Sequence, residues 1–246
     1  MNAQWPKGTA LKHFAEIDST NEEARRLASA GERGPVWIAA DRQTAGRGRR
    51  GRVWESPTGN LAATLLIVPD KPPAQCAQLS FVAAIAAADA VARFAPQAQI
   101  KVKWPNDVLA NGRKIAGILL ESASGGGDPY FLAIGVGVNL AHFPPDTEFP
   151  AISLAALGAT VPNASDALAQ LASGFAKWYD VWSAQGFAPI RDAWLARAAG
   201  LGSRIRARLS QEETSGVFES IDQTGALMLR EISGKTRSIS AGEVFF

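Results

Sequence analysis

Gly46-Arg47-Gly48-Arg49-Arg50-Gly51 reads as G-x-G-x-x-G, the pattern of a dinucleotide-binding turn. An apolar run, Val36-Trp37-Ile38-Ala39-Ala40, precedes it as a buried strand should. Asp70 follows about 20 residues on, where a ribose-binding acid would stand. The residues after the glycines decide against that fold. A dinucleotide site needs a helix to open on the glycine turn, because the helix N-terminus holds the pyrophosphate. Here Arg52-Val53-Trp54-Glu55-Ser56-Pro57-Thr58-Gly59-Asn60 leads straight into a second apolar run, Leu61 to Val68. The segment is therefore read as a loop between two strands.

Arg42, Arg47, Arg49, Arg50 and Arg52 crowd into this loop. Glycines let backbone approach a ligand closely, and guanidinium groups grip carboxylate and phosphate through paired hydrogen bonds. Mutual repulsion predicts a loop that is mobile when empty and ordered by an anion. The same composition suits contact with RNA or DNA, and charge alone does not separate the two.

Working outward, the chain is expected to be irregular up to Asp18. Ser19 with Glu22, and Thr20 with Glu23, each fit a capping box, so a helix is predicted from there to near Gly31. Pro69, Pro72 and Pro73 end the Leu61 to Val68 strand. Gln78 to Phe94 is apolar and rich in alanine, and predicts a long buried helix. Strands are expected over Ile100 to Trp104, Ile115 to Leu120 and Phe131 to Val138, the last two joined by a turn at Ser124-Gly125-Gly126-Gly127-Asp128. Ala141 to Pro150 reads as a loop. Leu168, Leu171, Phe175, Trp178 and Trp182 fall at helical spacing within Ser165 to Trp182, a core stripe. After Gly200-Leu201-Gly202 the period changes to two. Arg204-Ile205-Arg206-Ala207-Arg208-Leu209 is a strand with an arginine face, which reads as solvated though it could also dock an acidic partner. Gly216 to Ile221, Leu227 to Ile232 and Arg237 to Val244 follow as further strands. The fold class is α+β: a mixed sheet with flanking helices over 1–199, then a small all-β unit over 200–246.

Composition narrows the chemistry. Cys76 is the single cysteine and His13 and His142 the only histidines among 246 residues. An internal disulfide, a cysteine metal cluster and a multi-histidine zinc site are excluded. The net charge of +2 does not by itself point to nucleic acid. The start of the chain has no signal-like apolar region, and the apolar run Phe81 to Phe94, which carries Asp89 and Arg93, reads as too short for a membrane span. A cytoplasmic, membrane-free protein is expected.

Three segments carry a resemblance. They are Asp41-Arg42-Gln43-Thr44-Ala45 with Gly46 to Arg52 and Trp54; Lys103-Trp104-Pro105-Asn106-Asp107 with Lys114-Ile115-Ala116-Gly117-Ile118-Leu119-Leu120-Glu121; and Gly135-Val136-Gly137-Val138-Asn139. Together they resemble the biotin–protein ligase family, from about Phe14 to Asn139 and more weakly into the tail. The resemblance implies a catalytic domain related to class II aminoacyl-tRNA synthetases, followed by an SH3-like barrel. Many relatives add an N-terminal winged helix that represses transcription. This chain begins almost at the catalytic part, so the single-function type without DNA binding is expected.

The implied reaction makes biotinyl-5'-AMP from biotin and ATP, then transfers biotin to a lysine of a biotin carboxyl carrier domain. The protein itself would be a monomer or a homodimer. By the resemblance, Ser19, Thr20, Gln43, Gly46, Arg47, Arg49, Lys114, Gly117 and Gly137 bind biotin. Arg49, Arg52, Trp54, Asn106, Asp107, Lys114 and Asn139 match adenylate-side positions, with Asp107 near Mg²⁺ carried by the phosphates. Lys114 and Arg49 are the catalytic cations. Each has a plainer alternative: a helix cap for Ser19 and Thr20, an Asx turn for Asn106 and Asp107, an exposed turn for Lys114, core packing for Trp54. Relatives continue past the Gly-Glu-Val segment with a basic residue that reaches ATP. Here the sequence stops at Gly242-Glu243-Val244-Phe245-Phe246, so either that contact is absent or Arg237 or another tail arginine substitutes. Two rivals remain. A lipoate- or octanoate-handling ligase would leave the polar pocket groups unpaired at about 1–3 kcal/mol each. A nucleic-acid-binding module would leave the Lys-Trp-Pro-Asn-Asp segment unexplained.

Overall fold

Leu61–Ile67 (β3) is buried at every position, which is why it reads as a continuous apolar run and not as an alternating one. Both of its faces are covered. Ala63, Leu65 and Ile67 enter the large core, and Leu66 joins a smaller cluster with Ala24, Ala28, Val36, Ile38, Phe131 and Ala133. The computed structural model describes residues 3–125 and 128–246. Around β3 lie β1 (Ala10–Ile17), β2 (Val36–Gln43), β4 (Ile100–Lys103), β5 (Asp107–Ala110), β6 (Arg113–Gly125) and β7 (Asp128–Val138). They form one mixed sheet in the order β1-β2-β3-β7-β6-β5-β4. Strands β1 and β2 are parallel; the other pairs are antiparallel.

Helix α1 (Thr20–Ser29) covers the smaller cluster on one face, near β2, β3 and β7. The short α2 (Pro73–Cys76), then α3 (Leu79–Phe94), α4 (Ala164–Gln185) and α5 (Phe187–Leu195), build the larger core on the other. Because α1 is short, the face of β6, β5 and β4 beyond it is left open, and the cleft described below lies there.

A second sheet, in the order β11-β10-β9-β8-β12, holds β8 (Arg204–Arg208), β9 (Glu213–Ile221), β10 (Leu227–Glu231), β11 (Thr236–Ile239) and β12 (Glu243–Phe245). It is the small antiparallel unit expected from the two-residue period, with Ile205 and Ala207 buried between exposed or half-exposed arginines. It docks through Trp104, whose indole N–H donates to the Gly225 carbonyl at 2.9 Å. Gly225 has φ +88°, and a Cβ there would lie 2.5 Å from the Phe81 ring, so only glycine closes this joint.

Several expectations are corrected. The segment before Asp18 is not irregular: it is β1, an edge strand with mostly exposed side chains. With so little buried it shows no apolar pattern, and its pairing with β2 is what makes it a strand. Strand β5 was missed because four residues are too few to show a period. Its turn into β6, Asn111-Gly112, has both residues at positive φ, as a tight hairpin requires. Helix α5 was not anticipated. The run Arg237 to Val244 is two strands, and β12 leaves β11 to pair with β8. Helix α1 begins where predicted, but Ser19 makes no side-chain cap. Glu22 and Glu23 bond arginines instead, Arg25 and Arg47 for the first and Arg26 for the second. The longer segment Pro73–Phe94 reaches the length and mean hydropathy of a membrane span, but 67% of its apolar 18-residue window is buried within the protein, as in a core helix. The turn expected over Ser124 to Asp128 includes Gly126 and Gly127, which lie outside the described residues, as do Met1 and Asn2.

Candidate active site

One cross-strand row organises the open face. Ala62 of β3 pairs with Gly137 of β7, Gly137 with Gly117 of β6, Gly117 with Asp107 of β5, and Asp107 with Lys103 of β4. All five line a single cleft. At about 4.8 Å per strand the row spans roughly 19 Å. Its chemistry changes along its length, from small and apolar through bare backbone to acid and base.

At the β3 end the cleft is closed by a polar network. The Gln43 side-chain carbonyl accepts from the Thr20 N–H (2.8 Å) and the Thr20 hydroxyl (3.0 Å). Thr64 Oγ stands 2.8 Å from Thr20 Oγ and 2.6 Å from Asn21 Oδ1. The Asn21 amide donates to Glu121 at 2.6 Å. These contacts fix the Gln43 amide with its oxygen engaged and its Nε2 available as a donor to a ligand carbonyl. Ser19, buried and without a cap bond, adds a hydroxyl.

In the middle, Gly117 and Gly137 face each other across β6 and β7 and leave a bare patch. The Trp54 ring lies on it: a Cβ at Gly137 would sit 2.4 Å from Trp54 Cε2, and one at Gly117 3.2 Å from Cζ3. Trp54 is thus neither plain core nor a free platform; it covers the glycine floor. Lys114 reaches over the same floor to Asp107, Nζ to Oδ1 2.6 Å, with Nζ 5.5 Å from the Trp54 ring centre.

Around the rim Arg47 and Arg52 are paired with carboxylates, which relieves part of the repulsion expected from their crowding. Arg47 bonds Glu22 at 3.0 Å, and Arg52 bonds Glu243 at 2.6 Å. Arg49 donates to Asn106 Oδ1 (3.5 Å) and to the Gly242 carbonyl (3.3 Å). It therefore ties the loop to both the sheet floor and the second sheet. Burial, and then the neighbouring Arg50, push its pKa below the usual arginine range. Asn106 does more than close a turn: its amide donates to the Ile118 carbonyl while its oxygen receives Arg49. Asn139 is buried at the cleft wall and donates to the Ile152 carbonyl at 3.1 Å.

The fold brings Ser19, Thr20, Gln43, Arg47, Arg49, Arg52, Trp54, Asn106, Asp107, Lys114, Gly117, Gly137 and Asn139 to this one cleft. Gly46 does not line it. Gly46 is buried behind the loop, where a Cβ would meet the Trp54 carbonyl oxygen at 2.4 Å, so it shapes the turn that carries Trp54. Arg237 is no substitute for a terminal basic residue either. From β11 it pairs with Glu212, just before β9, and with Glu231 of β10. Of the arginine face, Arg208 alone is drawn to the cleft rim, through Glu148 and Glu243. Sequence reasoning missed Asn21, Thr64, Lys103, Glu148, Phe149 and Glu243. Thr64 had a signal, as the lone hydroxyl in the apolar run of β3. The last three had none, since loop and tail meet the cleft only in three dimensions.

Among the described residues, no cluster of three or more Asp, Glu, His or Cys is placed to hold a metal ion. Asp107, the one carboxylate on the row, fits Mg²⁺ carried by phosphates, which takes only one or two carboxylates from a protein. Floor, cations and closed polar end together describe a site that brings two anions into one cleft, one of them attached to a polar head group.

Comparison with known proteins agrees. The model described as the biotin/lipoate A/B protein ligase family matches residues 14–139, and the biotin protein ligase C terminal domain matches residues 200–246. The chain is 48% identical over 239 residues to the biotin–[acetyl-CoA-carboxylase] ligase of Paracoccus denitrificans, covering 95% of this chain and 99% of that protein. It is 36% identical to the enzyme of the same name from Mycobacterium tuberculosis, covering 95% and 88%. The fold matches the biotin protein ligase from Aquifex aeolicus, solved in complex with biotin and ATP, with a TM-score of 0.82 at 24% identity over 96% of this chain and 97% of that one. This chain belongs to the biotin protein ligase family.

Proposed function

We propose that this chain activates biotin with ATP to biotinyl-5'-AMP and pyrophosphate, and then transfers biotin to a lysine of a biotin carboxyl carrier domain, such as that of acetyl-CoA carboxylase. The observation that carries the reading is the cross-strand row, which runs from a polar closed end over bare glycine to the Lys114–Asp107 pair. The closed end suits a ureido head better than the apolar chain of lipoate or octanoate, which would leave the Gln43 Nε2 donor and the Ser19 hydroxyl without a partner. In this reading the protein works in the cytoplasm as a monomer or homodimer, without DNA. Residues 1–199 carry the catalytic unit and 200–246 the SH3-like unit.

The biotin rings lie over Gly117 and Gly137, so Trp54 must swing off this floor. The swing takes its ring toward the nucleotide, where it can stack on adenine. The biotin carboxylate then meets the α-phosphate between Lys114, Arg47 and Arg49, whose charges offset the repulsion of two anions. Carboxylate oxygen bonds to the α-phosphorus, the bond to the bridging oxygen breaks, and pyrophosphate leaves with the electron pair. Mg²⁺, when bound through the phosphates and Asp107, neutralises charge on them. Asn106, Arg52 and Asn139 hold the nucleotide side. In the second step the acceptor lysine amine attacks the acyl carbon and AMP departs, so no nucleophile from this chain is needed.

The direct test is biotin-dependent ATP–pyrophosphate exchange with Mg²⁺, run beside lipoate and octanoate. Exchange with biotin alone is expected. Exchange only with another acid would overturn the pocket assignment, and none with any acid would overturn the adenylation reading.

Two variants probe the parts. Arg49→Gly removes the contacts that pin the loop to Asn106 and Gly242, so adenylate should leave faster than its formation slows, by about tenfold or more for a charged hydrogen bond lost. A dissociation assay showing wild-type retention would refute this. Gly137→Val puts a branched side chain into the proposed ring site and should weaken biotin binding about 10- to 100-fold by calorimetry. Unchanged affinity would mean that the rings lie elsewhere.

A further inference from the structure

Lys103 ends the row that the proposed reaction uses, yet that reaction gives it no task. Its residue is only 5% exposed, although its amine borders the cleft. Five cations line this cleft: Arg47, Arg49, Arg52, Lys103 and Lys114. Four of them have a hydrogen-bond or ion-pair acceptor. Among the described residues Lys103 has none. Its ammonium lies 3.4 Å from the centre of the Phe149 ring, with Phe245 and Phe246 at 5.8 and 5.9 Å. Phe149 and Phe245 stack on each other at 4.9 Å. Aromatic faces hold a cation without cancelling its charge as a carboxylate would. Burial pushes the pKa down to about 8, with Asp107 and Glu243 opposing that shift, so the amine is still mostly charged at neutral pH. A buried, unpaired ammonium with three free donors is costly unless an anion arrives to meet it.

The row says which anion. An attack on phosphorus places the entering and leaving oxygens roughly in line. In the proposed reaction the biotin carboxylate enters from the Gly137–Gly117 side, and Lys114 and Asp107 mark the reacting phosphate. The leaving group must depart the opposite way, one strand further on, which is where Lys103 stands. Resting on the adenylation reading, we propose that Lys103 is the site's pyrophosphate contact: it binds the β- and γ-phosphates of ATP and stabilises pyrophosphate as it leaves, held in place by an aromatic wall from the 141–150 loop and the last two residues of the chain. The adenosine end carries no charge that would call for this amine, so nucleoside binding is not its task.

The test is Lys103→Met, which keeps the length and removes the charge. Removing an unpaired buried charge should not lower the melting temperature, and that is checked first by thermal denaturation. In biotin-dependent exchange the variant should raise the KM for ATP and for pyrophosphate, or lower kcat, with a combined loss of about 10- to 100-fold in kcat/KM. Biotin affinity should be unchanged. Transfer from supplied biotinyl-5'-AMP to a carrier-domain lysine, which involves no pyrophosphate, should also be unchanged. A merely structural role would depress the transfer step along with exchange, and that result overturns the inference. So does wild-type exchange by the variant. Absence of exchange in the wild-type enzyme overturns the adenylation reading itself, and the inference with it.

Discussion

Lys114→Ala is expected to lower biotin-dependent ATP–pyrophosphate exchange by about 10²- to 10³-fold, the loss typical of one preorganised charge at a developing anion. Lys114 crosses the glycine floor to reach Asp107 at 2.6 Å, so its amine stands where the carboxylate and α-phosphate would meet. The pairing has a second consequence. Removing the amine leaves the Asp107 carboxylate, only 8% exposed, without its ion-pair partner and facing two incoming anions. The fall should therefore be larger in kcat than in biotin affinity, because the α-phosphate is absent when biotin binds alone. Lys114→Ala with Asp107→Asn should recover part of the loss. A single variant that loses biotin affinity and exchange in equal measure would make Lys114 a plain binding residue instead.

Trp104→Ala is expected to destabilise the protein by about 3–5 kcal/mol, the usual range for emptying a buried tryptophan site. For a chain of this size that lowers the melting temperature by about 10 °C. The indole is 2% exposed, and its N–H reaches across to Gly225 in the second sheet. The variant thus loses core volume and also frees a carbonyl at the joint between the sheets. Limited proteolysis should then cut the segment after residue 200 more readily than in wild type. A shift of only two or three degrees, with the tail still protected, would show that Trp194–Phe218 and the Arg191 contacts to Ser220 and Ile221 hold the joint without it. Because Trp104 lies between Lys103 and Asp107 in sequence, the same change should also loosen the cleft floor.

The local signals held where a residue's neighbours in sequence are also its neighbours in space. Trp54 and the arginines were legible as a ligand loop because the nine residues after Gly51 cannot form a helix before β3. The alternation of Arg204 to Leu209 announced the second sheet, and the Lys-Trp-Pro-Asn-Asp and Lys114 to Glu121 segments marked the floor. Strand β1 was not legible, because an exposed edge strand buries too little to leave an apolar pattern and exists by its pairing with β2. Lys103 was quoted within a motif but given no role, since its burial depends on Phe149 and Phe245, which lie about 45 and 140 residues away along the chain. Thr64 shows the boundary between the two kinds of information. Its place in an apolar strand is visible in the sequence, while its contacts with Thr20 and Asn21 need the helix start brought over β3.

From the sequence alone, then, came the alternation of strands and helices, the exclusion of a dinucleotide fold, the two units and the set of charged and polar side chains available to a ligand. Short-range sterics and side-chain periodicity are enough to specify these. Only the tertiary structure decided the register that aligns Ala62, Gly137, Gly117, Asp107 and Lys103 in one row, the seating of Trp54 on bare glycine, and which cleft cation has aromatic rings but no acceptor among the described residues. Those follow from long-range pairing and from the burial of charge, and both depend on contacts that no window of sequence contains.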